Sequence, residues 1–233
     1  MKKIDLLYLI VVMFYLISGL IKWNITTIFA CVLSLIFMVI TNVIGKKLGF
    51  GNGIKILIYV FILGTEILGE IYHFYVDVWW FDIVMHTYFA FVISYAGLYL
   101  IRYFNINGSI YFVILFIFSF AMMAESIWEI FEFSMDRVIG TDMQKDTVIR
   151  NINSMYLSHD IYVDKVIVND IDFMERYGGY LDIGLYDTIG DMICTVVGSF
   201  MFIVIMKKKT KLLVFCFCIN TFIKFMGTIV YFF

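Results

Sequence analysis

The chain of 233 residues contains no proline, four cysteines, and charged side chains at only 15% of positions. Each shortage excludes something. Without proline there is no residue that obligatorily breaks a helix, which argues against the interrupted helices of many transporters. The cysteines are single, or paired as Cys216-x-Cys218 with side chains on different sides of a helix, so neither a disulfide framework nor a thiolate metal site is expected. The sparse Lys and Arg form no nucleic-acid surface, and no Gly-rich phosphate loop or Ser/His/Asp order occurs.

What remains is apolar. Hydrophobic residues make up 63% of the chain, and 25 Phe with 16 Tyr exceed what a soluble domain of this size buries. An all-α membrane protein is expected, a single membrane domain over 1–233. Apolar runs near 4–21, 25–44, 54–73, 82–101, 110–133, 185–206 and 212–233 each approach the roughly 20 residues of a bilayer crossing, giving seven helices. The first is read as an uncleaved helix, because SGLIKWN offers no small-residue cleavage motif. Lys2, Lys3, Lys46, Lys47, Lys55, Arg102 and Lys207, Lys208, Lys209 and Lys211 fall on one side and only Lys22 among short loops on the other, so the N-terminus is placed inside and the C-terminus outside. Segment 137–184 is then a long extracytoplasmic loop or cap, with DIYVDKVIVNDI alternating enough to suggest a hairpin.

Two stretches repeat one pattern of acids. Glu66, Glu70, His73 and Asp77 recur at identical spacing as Glu125, Glu129, Glu132 and Asp136, inside GTEILGEIYHFYVD and MAESIWEIFEFSMD. Steps of four, three and four residues return all four side chains to within roughly a 60° arc of an α-helix. The next helices begin Asp82-x-x-x-His86 and Asp187-x-x-x-Asp191, again one turn apart. Predicted helices 3–4 and 5–6 therefore read as a duplicated hairpin, and four helices carry ten acids and two histidines toward the outer side.

Magnitude decides what such a cluster needs. Each ionised acid at the bilayer centre costs roughly 2.5–3.5 kcal/mol. The stripes themselves contain no Lys or Arg, so bound cations, shared protons or water must offset that cost. Carboxylates with one or two imidazoles suit a divalent ion, Mg, Mn or Zn. The expected metal ligands are Asp82, His86, Glu129, Asp187, Asp191 and His73, with Glu70 or Glu132 as general base. Glu66 and Glu125 are the deepest acids, Lys224 is a potential counter-charge, and Asp142, Gln144 and Asp146 could fold over the cluster. Asp77 and Asp136, at helix ends, read as solvated or loop-capping. Gly190, Cys194 and Gly198 form a small-residue strip for close helix contact. Trp23, Trp79, Trp80 and Trp128 fit interfacial belts, Trp128 with the alternative of lining the site.

Asp82-x-x-x-His86, the block Trp128-Glu129-x-x-Glu132-Phe133-x-x-Asp136, the Gln144 segment and Asp187-Thr188-x-x-Asp191-Met192 resemble the pattern of the YjdF-like family of uncharacterised bacterial inner-membrane proteins, distantly similar to VanZ-like proteins. The likeness covers about residues 50–205. It implies a multi-pass bacterial cytoplasmic-membrane protein in contact with membrane lipids, and says little about a reaction.

Three classes of function stay open. One is a membrane-embedded, metal-dependent hydrolase or transferase acting at the outer leaflet on a lipid-linked or envelope substrate. Another is a cation or proton-coupled transporter with Glu66 and Glu125 as stations. The third is a non-enzymatic envelope sensor, immunity or assembly protein.

Overall fold

The computed structural model describes residues 3–149, 151–154, 158–162, 164–181 and 184–208. Predicted helix 212–233, with Lys224, lies outside them. The chain is a multi-pass helical membrane protein: among the described residues five helices are long and apolar enough to cross a bilayer. These are α1 (Lys3–Lys22), α2 (Ile25–Leu48), α5 (Phe81–Tyr103), α6 (Ile110–Val138) and α8 (Leu185–Lys208). Their exposed Leu, Ile, Val and Phe side chains are the surface offered to lipid.

The described residues fall into two compact units, one running to Ala124 and resuming at Cys194, the other spanning Glu125–Ile193. In the first unit α1 and α2 form a tight hairpin. Its turn is set by Trp23 at φ 51 and by Asn24, whose side chain accepts from Thr27 N at 2.9 Å and caps α2. One buried cluster unites Tyr8, Val12, Cys31, Tyr59 and Ile62. A second unites Ile101, Ile117, Phe202 and Ile203. Gly198 lies against α5 so closely that a Cβ would fall 2.1 Å from the Thr87 carbonyl oxygen, and Phe202, one turn on, packs its ring on Phe91 and Tyr95. The α8 residues of this unit thus run parallel to α5, and the small-residue reading holds at Gly198.

Predicted helix 54–73 is helical over most of its length, but not as one regular α-helix. The α-helix α3 (Asn52–Leu63) is only 12 residues long and passes into a π-helix, Gly64–Ile71, with Tyr72 N bonded to the Ile67 carbonyl five residues back. The chain then breaks at His73, φ 58, before the single turn α4 (Phe74–Asp77). Tyr75 folds back onto Gly69, where a Cβ would meet its ring at 2.2 Å. The break at His73 needs no proline.

The second unit holds the acid-bearing part of α6, three two-stranded antiparallel ladders, the short helix α7 (Phe173–Tyr177) and the start of α8. Strand β1 (Val148–Ile149) pairs with β6 (Tyr180–Leu181), β2 (Asn151–Ser154) with β3 (Ser158–Tyr162), and β4 (Ile167–Val168) with β5 (Ile171–Asp172). The single hairpin expected over 160–171 is replaced by the end of one ladder, β3, and most of another, β4 and β5, whose turn is Asn169–Asp170.

Candidate functional site

In the second unit the acid stripe of α6 survives intact. Because α6 stays α-helical through Val138, Glu125, Glu129 and Glu132 share one face, and all three are buried; Glu125 has no exposed surface. Glu125 and Glu129 offer carboxylate oxygens within 4.8 Å of each other. Glu132 accepts from Trp128 Nε1 at 2.7 Å, so Trp128 orients an acid as well as presenting apolar surface. On α8, Asp191 is buried and Asp187, one turn earlier, is half-buried.

Asp136 ends the stripe as a loop anchor. Its carboxylate accepts from Thr141 Oγ1, Met143 N and Gln144 N. Gln144 is buried, whereas Asp142 and Asp146 are exposed. The Gln144 amide donates to Thr188 Oγ1, and Lys145 N donates to Asp187 Oδ2.

In the first unit the corresponding stripe is not one face. Of its four ionisable residues only Glu66 is buried; Glu70, His73 and Asp77 are exposed. The wider π turn and the break at His73 defeat the 100° periodicity on which the shared direction depended. Asp82 and His86 do come together on α5, with Nε2 of His86 3.4 Å from Asp82 Oδ1 and His86 buried.

A family model described as predicted membrane protein, DUF2238, matches residues 4–211. The chain belongs to that family. No curated protein and no solved structure matches it. The family match spans both units and every described site residue, and it carries neither the YjdF-like nor the VanZ-like name.

One polar cluster of this family member escaped the sequence reading. Asp5 of α1 and Lys55 of α3 lie 3.6 Å apart, both buried. Tyr59 OH donates to Asp5 Oδ1 at 2.9 Å, Asn42 Nδ2 donates to Tyr59 OH at 3.0 Å, and Lys55 Nζ donates to Asn42 Oδ1. Tyr8 stacks on Tyr59 and donates to the Ser34 carbonyl. The charge bias across the membrane treats Lys55 only as a loop charge, whereas its place beside Ile54 and Tyr59 in a helical run is the sign of its burial.

Proposed function

We propose that this protein is a membrane-embedded, divalent-cation-dependent hydrolase or transferase acting at the extracytoplasmic leaflet on a lipid-linked or envelope substrate carrying a phosphate or ester. The N-in topology, the bacterial setting and the YjdF-like resemblance belong to the same reading. One observation carries it: Glu125, Glu129, Glu132 and Asp191 of one compact unit are all buried, on helices apolar enough for a bilayer. At roughly 2.5–3.5 kcal/mol per intramembrane acid, four such groups cost about 10–14 kcal/mol as carboxylates, comparable to the stability of a whole domain.

A hard divalent cation offsets that cost and supplies chemistry at once. In this reading Glu125, Glu129 and Asp191 supply the oxygens that hold it, and Glu132, aligned by Trp128, takes the proton from the attacking water or hydroxyl. Asp82 and His86 of the first unit stay proposed ligands in this reading. The test is metal analysis of the purified full-length protein, with Glu129→Gln and Asp191→Asn alongside. A stoichiometric divalent ion that both changes remove supports the reading; a metal-free protein whose melting temperature ignores chelation ends it.

The alternative, a cation or proton-coupled transporter, is favoured by the π-helical segment. π-helical turns inside helices frequently mark functional sites, and the buried acid Glu66 sits inside this one, ahead of the break at His73. Cation or proton flux into proteoliposomes, abolished by Glu66→Gln, distinguishes it from the hydrolase.

A further inference from the structure

The five residues Thr141–Lys145 are tied at both ends to acid-bearing helices of the second unit. At one end Asp136, in the last turn of α6, accepts from Thr141 Oγ1 at 2.8 Å, Met143 N at 2.7 Å and Gln144 N at 2.9 Å. At the other, Gln144 Nε2 donates to Thr188 Oγ1 at 2.6 Å and Lys145 N donates to Asp187 Oδ2 at 2.9 Å, both acceptors in the first turn of α8 and more than forty residues further along the chain. Gly184, just before α8, has φ +90 and sits so close to Gln144 that a Cβ would fall 2.5 Å from the Gln144 Cβ. A left-handed backbone without a side chain lets the two segments meet there.

A solvated loop would satisfy its amides with water. Here two carboxylates take three successive backbone N–H groups, and a buried glutamine spends its donor on a distant helix start. We infer that Thr141–Lys145 is a strap holding the N-terminus of α8 to the C-terminus of α6, with Asp136, Gln144 and Asp187 as positioning residues for the buried acids Glu125, Glu129, Glu132 and Asp191. The functional consequence rests on the cation reading above; the strap itself does not. Cation ligands drawn from two helices need their oxygens held to within about half an ångström, and this strap, a short stretch of chain beyond α6, is hydrogen-bonded to the start of α8.

The experiment uses the full-length protein in lipid nanodiscs, with amide hydrogen exchange at Met143, Gln144 and Lys145 and a Mn²⁺ titration read by binding. In the native protein these amides exchange at least about 100-fold more slowly than in a free peptide. Asp136→Asn is expected to speed all three by about tenfold or more and to weaken Mn²⁺ by about tenfold. Thr188→Ala, a milder change, should release Gln144 with a smaller loss on both readouts and serves if Asp136→Asn does not fold. Glu175→Gln, exposed on α7, should move neither. Native amides exchanging at free-peptide rates, or unchanged protection in the variants, overturn the strap. Faster exchange with unaltered Mn²⁺ affinity overturns the positioning role. A native protein that binds no Mn²⁺ defeats the cation reading, while the exchange data still decide the strap.

Discussion

Asp5 and Lys55 face one another at 3.6 Å across the α1–α3 contact, with side chains only 7% and 8% exposed. Two charges so enclosed are tolerable only together, and the hydrogen bonds of Tyr59 and Asn42 complete the arrangement. Removing one partner strands the other. Lys55→Met or Asp5→Asn is therefore expected to destabilise the fold by about 3–5 kcal/mol, whereas the double change recovers most of that loss. Thermal unfolding of the four proteins in one detergent gives the coupling; additive single effects would count against the pair.

The parallel contact of α5 and α8 allows no side chain at position 198. Because the obstruction to a new Cβ is the Thr87 carbonyl, a backbone atom rather than a flexible side chain, the helices must separate to accept it. Gly198→Ala should cost about 1–3 kcal/mol, despite alanine's better helix propensity. Differential scanning of the purified variant measures this. A rise in melting temperature would mean that the contact is looser than the geometry states.

The two acid repeats show what a sequence reveals and what it withholds. In MAESIWEIFEFSMD the periodicity of Glu125, Glu129 and Glu132 translated directly into one buried face, because α6 remains α-helical beyond them. The same spacing in GTEILGEIYHFYVD did not. What separates the two stretches lies outside the shared acids: the left-handed His73 and the return of Tyr75 onto Gly69 end the first helix and go with its π-helical winding. Those are tertiary contacts, invisible to helical periodicity. The loop-anchoring role of Asp136 was legible from its place at a helix end, but its partners, drawn from residues five to eight positions ahead, were not. Lys55 misled for a similar reason, since a lysine near the end of an apolar run reads as a loop charge until its acid, fifty residues earlier, is brought beside it.

The contact of Tyr75 with Gly69 gives a test of the π-helical segment. Gly69→Ala places a Cβ where the Tyr75 ring lies, so the turn Phe74–Asp77 must move away. The expected result is a loss of about 1–3 kcal/mol, relieved by Tyr75→Ala in the same chain. If Glu66 is a transport station, Gly69→Ala also lowers cation flux in proteoliposomes, and the double variant does not restore it. A hydrolase using the second unit would keep its cation affinity in both.

Cation dependence of stability tests the carboxylate cluster through a quantity that needs no substrate. A ligand present at about 100 times its Kd stabilises the state that binds it by about 2.7 kcal/mol. For a chain of this size each kcal/mol moves the midpoint by about 2–4 °C, so saturating Mn²⁺ should raise it by about 5–10 °C and chelation should reverse the rise. Glu129→Gln removes one anionic oxygen from the buried set while keeping its volume. The neutral side chain relieves desolvation and repulsion, so this variant is expected to melt at or above the native temperature without cation and to lose the Mn²⁺ response. That opposite behaviour in the two conditions separates a cation site from an ordinary polar core, in which the substitution would act the same way whether or not the ion is present.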